Sequence, residues 1–213
     1  IVAHFGEKTL EVLDSDPGRL REIPGIGKGA DSLIERWESK SNHRSAIMFL
    51  QQHGLGQIMA ERVYTTFSGH TIGKVQADPY ILMRAIRGIG FSSADAVARS
   101  LGVRSDSPLR ARAALRHVLD EATLEGHCYL PKDTLLEKTL TLLSKGHNSQ
   151  AGDMDMAELG DVALDSQVDL SHSLSEIIAS ALEEALRHND FILEKDCVFP
   201  EDIYQAEIGV AEN

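Results

Sequence analysis

Two short strings hold the residue types that grip an anion. They are Ile23-Pro24-Gly25-Ile26-Gly27-Lys28-Gly29-Ala30-Asp31 and Ile86-Arg87-Gly88-Ile89-Gly90-Phe91-Ser92-Ser93-Ala94-Asp95. In each, a Gly-Ile-Gly turn follows an apolar residue and leads through a short polar link to Ala-Asp. Glycine, having no Cβ, lets the backbone turn sharply and lets another backbone come close. A helix that starts just beyond such a turn presents unpaired N–H groups and the positive end of its dipole to a negative charge. The chemistry predicted is a non-covalent hold on a phosphate. Gly25, Gly27, Gly88 and Gly90 shape the turns, Lys28, Ser92 and Ser93 add an ammonium and two hydroxyls, and Arg87 is a secondary contact. A weaker copy, His53-Gly54-Leu55-Gly56-Gln57-Ile58-Met59-Ala60, keeps Gly54 and Gly56. It offers Gln57 and Met59 where a phosphate site favours Lys, Ser or Thr, so structural linkage is the stronger expectation there. A tight turn between helices needs the same glycines whether or not an anion is bound.

The remaining candidates are poorer, and no catalytic residue, metal or cofactor is expected in this chain. His117, His127 and Cys128 lack four-ligand zinc spacing. The acidic run Asp153, Asp155, Glu158, Asp161, Asp165 and Asp169 lacks the calcium-loop pattern. Glu183 and Glu184 have no partner base. Gly27-Lys28 is followed by Gly29 rather than Ser or Thr, so there is no nucleotide-binding P-loop. Trp37 falls in helical step with Leu33 and Ile34, which makes it a core residue rather than a stacking platform.

The elements that must position these turns are legible from a repeat. Phe5, Thr9, Leu10, Leu13, Asp16 and Pro17 recur as Phe67, Thr71, Ile72, Val75, Asp78 and Pro79, at a constant offset of 62, which becomes 63 beyond the proline. After the turns, Leu33-Ile34-Trp37, Val63-Tyr64-Phe67 and Val97-Ala98-Leu101 have helical spacing. Before them, Leu20 with Ile23, Phe49-Leu50 and Leu82 with Ile86 predict short apolar helices. Asp16-Pro17 and Asp78-Pro79 are helix starts, Asp at N-cap and Pro at the first helical position. Each unit is helix, glycine turn, helix. Ile1-Val2 align with Val63-Tyr64, so the chain is expected to begin inside such a helix, as a piece of a longer protein with its first hairpin truncated.

The back half reads differently. Ser107-Pro108 opens a helix to Leu124, Cys128-Tyr129-Leu130 is a strand candidate, and a helix follows from Pro131 to about Leu143. Residues 145–172 are Gly-, Ser- and Asp-rich and are expected to be loop. Leu174 to His188 is an amphipathic helix, Phe191 to Phe199 a β-hairpin, and Pro200 begins a last helix. That order is a winged helix. Its third helix carries Glu176, Glu183 and Glu184 against Arg187 alone, which is wrong for a helix entering a DNA groove and right for protein contact. The fold class is therefore mainly α, with tandem hairpins over 1–104 followed by an acidic winged-helix-like α+β domain over 105–213.

Charge follows the same division. The net charge is −12, yet residues 1–112 hold 15 Lys and Arg against 12 Asp and Glu, and the rest hold 6 against 21. A phosphate backbone would favour the front half. Two unpatterned cysteines read as reduced thiols. No apolar run approaches the roughly 18 residues of a membrane span, and with no basic n-region before an apolar stretch no signal peptide is expected. Cytoplasm, without a membrane partner, is the expected location.

The glycine turns resemble the helix-hairpin-helix motif of DNA-repair and recombination proteins. The longer strings His4-Phe5-Gly6-Glu7-Lys8-Thr9-Leu10, Gly88-Ile89-Gly90-Phe91 with Ala94-Asp95, Glu125-Gly126-His127-Cys128-Tyr129-Leu130-Pro131, and Val198-Phe199-Pro200 leading to Tyr204-Gln205-Ala206-Glu207 are similar to the N-terminal region of RecD-like ATP-dependent DNA helicases, the exodeoxyribonuclease V alpha chain type. The resemblance implies a parent helicase whose motor domains use ATP and Mg, with DNA, single-stranded or at a junction, and those motor domains as partners. It leaves this stretch as a DNA-engaging front end or, alternatively, as a scaffold that braces the motor or docks a partner without touching DNA. Hairpins of this kind also hold a monovalent cation in some families, which this sequence leaves open.

Overall fold

The computed structural model describes residues 1–27, 29–148 and 162–211. The chain divides into two compact units, Ile1–Ile89 and Gly90–Asn213. The first is all helical. It contains α1 (Val2–Phe5), α2 (Thr9–Ser15), α3 (Gly29–Gln52), α4 (Gln57–Phe67), α5 (Thr71–Ala77) and α6 (Ile81–Ala85), with 3-10 helices at Gly6–Lys8, Pro17–Glu22 and Ser68–His70.

The sequence repeat is a structural repeat down to backbone angles. Gly6 lies at φ 56°, ψ −135° and its counterpart Ser68 at φ 50°, ψ −134°. The Thr9 hydroxyl donates to the Gly6 carbonyl at 2.7 Å, and the Thr71 hydroxyl to the Ser68 carbonyl at 2.7 Å. Both threonines are buried, so each hydroxyl must find an acceptor within its own turn. Leu20 and Leu82, still 62 apart so that the step to 63 falls between Leu20 and Ile23, are each almost wholly buried. Around Leu20 gather Leu13, Ala30 and Ile34, with Phe5, Ile23, Ile26 and Trp37 against them. Trp37 is thus partly buried on the core, and its indole N–H donates to Asp14 at 3.3 Å.

Two expected helices take other forms. Pro17 opens a 3-10 helix, and the helix after Pro79 starts at Ile81 and lasts five residues. Asp78 still caps locally, accepting the Tyr80 N–H at 3.0 Å. The segments after the first turn and before the second are one helix, α3, because no Gly or Pro interrupts residues 30–53.

The second unit holds α7 (Phe91–Ser100), α8 (Pro108–Leu124), β1 (Leu130–Pro131), α9 (Lys132–Asn148), α10 (Val162–Arg187), β2 (Phe191–Glu194), β3 (Cys197–Pro200) and α11 (Glu201–Ala211). The three strands are antiparallel in the order β1-β3-β2, with Leu130 opposite Val198 and Leu193 also opposite Val198. This is a winged-helix arrangement: α8, α9 and α10 with the short strand β1 and the β2–β3 wing. Lys195 and Asp196 both have positive φ, the two-residue turn whose twist matches a hairpin. The core is formed by Ala114, Leu115 and Leu119 of α8, Leu135 and Leu143 of α9, Ile178, Leu182 and Ala185 of α10, and Phe191 and Val198 of the wing.

Three boundaries differ from expectation. The division between units falls before α7 rather than near residue 104, because Asp95 of α7 is locked to Arg110 of α8. The strand starts at Leu130, not Cys128. Much of the expected loop 145–172 is helix: α9 runs to Asn148 and α10 begins at Val162. No Gly or Pro follows Gly160 before Pro200, so the Asp and Ser content that reads as loop breaks nothing. The remaining part of that loop, 149–161, lies outside the described residues.

Cys128 is a half-buried free thiol whose S–H donates to Glu207 of α11 at 3.0 Å. That hydrogen bond, with burial and the carboxylate charge, pushes its pKa above the ordinary thiol value. Glu207→Gln removes the charged acceptor and lowers the pKa, so alkylation of Cys128 by iodoacetamide at pH 8 should accelerate several-fold while Cys197 keeps its rate; unchanged labelling of Cys128 would refute the hydrogen bond.

Candidate nucleic-acid interface

All three glycine turns start alike. Gly25, Gly54 and Gly88 lie at φ 92°, 92° and 97°, a region open to glycine and strained for other residues. The central residue faces inward in each: Ile26 packs on the Leu20 cluster, and Leu55 and Ile89 are 7% and 5% exposed.

The second glycine separates them. Gly56 (φ −67°, ψ 154°) and Gly90 (φ −88°, ψ −179°) are extended N-caps of α4 and α7. The first helical bonds are Ala60 N–H to Gly56 carbonyl at 3.0 Å and Ala94 N–H to Gly90 carbonyl at 3.1 Å. The N–H groups of 57–59 and of 92 and 93 therefore lie ahead of the helical ladder. Ser92, Ser93 and Gln57 are exposed beside them. Gly27 instead takes φ 51°, and the N–H groups of Gly29 and Ala30 donate to the Ile26 and Gly27 carbonyls at 3.0 and 3.1 Å. Among its described residues, the first turn thus spends the Gly29 and Ala30 donors on its own carbonyls. The cause is one missing residue: Ala30 follows Gly27 by three, whereas Ala60 and Ala94 follow their glycines by four. Lys28 lies outside the described residues.

The aspartates of the two strong copies also diverge. Asp31 is exposed and pairs with Arg21 at 2.8 Å. Asp95 is buried and accepts two hydrogen bonds from Arg110, at 2.8 and 3.1 Å, while Arg110 donates a third to the Ser105 carbonyl at 3.2 Å. Here the motif residue holds α7 onto α8 and faces no ligand.

Arg87 is exposed on the turn before Gly88. Arg62 of α4, not singled out by sequence reasoning, reaches the same turn: a Cβ built on Gly88 would meet Met59 Cε at 3.4 Å and Arg62 Nη1 at 3.9 Å. No local pattern announces this, because Arg62 and Arg87 meet only through the fold. Neither makes an ion pair among the described residues. In the second unit Arg104, Arg110, Arg112 and Arg116 are all paired with aspartates. Among the described residues no group of three His, Cys, Asp or Glu side chains is gathered as a metal site requires, and no helix is long and apolar enough to cross a membrane.

Residues 39–129, spanning the middle and third turns and the start of the winged module, match the profile of the ATP-dependent RecD2 DNA helicase HHH domain. Over these residues the chain is similar to a RecD2-type helix-hairpin-helix region. It is 29% identical over 134 residues to the ATP-dependent RecD2 DNA helicase of Deinococcus radiodurans, an alignment taking in 62% of this chain and 19% of that protein. The chain thus spans about a fifth of the helicase it matches. The matched helix-hairpin-helix region begins inside α3, beyond the self-satisfied first turn.

Proposed function

We propose that this chain is the non-catalytic, sequence-nonspecific DNA-binding region of a RecD-like helicase acting in DNA repair and recombination in the cytoplasm. The observation that carries the reading is the pair of open turns, where the N–H groups of 92 and 93 and of 57–59 precede the first helical bond. Ser92 and Ser93 stand at one and Gln57 at the other, with Arg87 on the approach to Gly88 and Gly90. Such contacts reach phosphate and sugar, so they position a strand without reading its sequence. The first turn, with Gly25 and Gly27, serves as a brace. ATP and Mg belong to motor domains of the same chain, onto which the acidic winged module, α8 to α11, docks; like-charge repulsion keeps DNA off that module's face.

Fluorescence anisotropy of labelled DNA tests this. The chain should bind DNA of unrelated sequences equally at low salt, with log Kobs falling against log salt by about 0.7–0.9 per phosphate contact. Ser92→Glu with Ser93→Glu sets carboxylates at the start of α7, where they occupy the N–H groups and repel phosphate; affinity should drop at least tenfold. Full affinity in that variant would overturn the hairpin grip. The wild-type chain should hydrolyse no ATP with or without DNA, and measurable turnover would overturn the non-catalytic assignment.

A further inference from the structure

Positive charge in the first unit is not spread evenly. Residues 1–38 hold five Lys and Arg against eight Asp and Glu, whereas residues 39–89 hold six against two. Both of those acids are engaged: Glu61 with His43 at 2.8 Å, and Asp78 with Arg84. Lys40, Arg44, Arg62 and Arg87 are exposed and make no ion pair among the described residues.

These four cations line two open grooves, one on each side of α4. A groove of about 710 Å³ between α4 and the α6 turn is lined by Ile58, Arg62, Ile86 and Arg87, with Gln57 at one end. One of about 410 Å³ between α3 and α4 is lined by Lys40, His43, Arg44, Ile47 and Met48. Glu61 borders both and is hydrogen-bonded to His43. Thr65 and Thr66 turn their hydroxyls back onto their own helix, at the Glu61 and Arg62 carbonyls, so the groove's polar character comes from the arginines. Between and beside the cations, large apolar side chains stand in water: Ile58 is 73% exposed and Met48 53%.

A duplex backbone offers such a surface phosphates and sugars only. A single strand adds unpaired bases, whose apolar faces cover aliphatic side chains and stack on guanidinium planes. We propose that the two grooves flanking α4 form one track for a single strand of DNA, Lys40, Arg44, Arg62 and Arg87 meeting its phosphates and Ile58 and Met48 its bases. The proposal takes its ligand class from the DNA-binding reading above and shares Arg87 and Gln57 with it, but adds Lys40, Arg44, Met48, Ile58 and Arg62, on which it stands independently. It puts α4, which the middle turn of Gly54 and Gly56 leads into at Gln57, at the centre of the interface.

The full chain is titrated with a labelled oligothymidylate and with the matching thymidine–adenine duplex across a range of salt. The single strand should bind more tightly. Arg62→Gln with Arg87→Gln, and Lys40→Gln with Arg44→Gln, should each reduce the salt slope by about 1.4, two phosphate contacts at about 0.7 each for a single strand. Ile58→Ser should weaken single-strand binding severalfold and leave duplex binding unchanged. These positions are exposed, and circular dichroism checks that each variant folds. Tighter binding of duplex, or wild-type slopes in both double variants, overturns the track. If those slopes persist while Ser92→Glu with Ser93→Glu loses affinity, the track falls and the hairpin grip stands; if Lys40→Gln with Arg44→Gln, which touches no hairpin residue, loses slope while the serine variant keeps affinity, the track stands alone. No binding of any DNA at low salt removes both.

Discussion

Asp95→Ala is expected to destabilise the second unit by about 3–5 kcal/mol, the range for removing one partner of a buried ion pair. Arg110 is 2% exposed and directs three N–H groups at Asp95 and the Ser105 carbonyl. Without the carboxylate its charge is buried with a single carbonyl for company. Arg99 compounds the loss, since its buried Nε has no hydrogen-bond partner and lies in an ion pair with Asp95 at 3.5 Å. Urea unfolding followed by far-ultraviolet circular dichroism measures the cost. The chain's one tryptophan, Trp37, belongs to the first unit, so its fluorescence transition should stay in place while the circular dichroism transition moves. Asp95→Ala with Arg110→Met should recover most of the loss, because the desolvated charge then goes with its partner. Asp31→Ala, at the equivalent position of the first copy, should change stability by less than about 1 kcal/mol, since the Asp31–Arg21 pair is exposed. A cost below about 1 kcal/mol for Asp95→Ala would show that the pair does not hold α7 to α8.

The equivalence of Asp31 and Asp95 in sequence, and their contrast in place, mark how far the chain can be read directly. Local spacing carries local geometry. The 62-residue offset from Phe5/Phe67 to Pro17/Pro79 reappears as matched angles at Gly6 and Ser68 and as matched threonine hydrogen bonds. The winged module is legible because Ser107-Pro108, the Leu174–His188 apolar face and the Phe191–Phe199 alternation are each strong and independent. The self-satisfied first turn is legible too, in the three-residue step from Gly27 to Ala30 against four at the other turns. Identical Gly-Ile-Gly strings obscure it, although the length of the link decides whether the helix closes with an i→i+3 or an i→i+4 bond. What local spacing does not carry is long-range: Arg62 beside Gly88, Arg110 beneath Asp95, and the committed partners of Glu61 and Asp78. A charge count per half shows a basic front, and only the fold separates its free cations from its paired ones.

Leu20→Ala and Leu82→Ala, the same truncation at the same place in the two copies, are each expected to cost about 2–5 kcal/mol, the range for Leu→Ala at fully buried sites. Their exposures are 1% and 0%. The functional consequences should part company. Leu20 anchors the cluster of Leu13, Ala30 and Ile34 on which Trp37 rests, so Leu20→Ala should lower the midpoint of the Trp37 fluorescence transition. It should leave DNA affinity and salt slope unchanged in the folded protein, because the first turn spends its N–H groups on its own carbonyls. Leu82 lies in α6, which leads directly into Ile86 and Arg87, and Ile86 lines the groove that Arg62 and Arg87 share. Loosening α6 moves Arg87 relative to α4, so Leu82→Ala should weaken DNA binding as well as stability. Anisotropy at a denaturant-free temperature well below either midpoint separates the two effects. Equal losses of affinity in both variants would mean that the first copy is part of the interface and not only its brace.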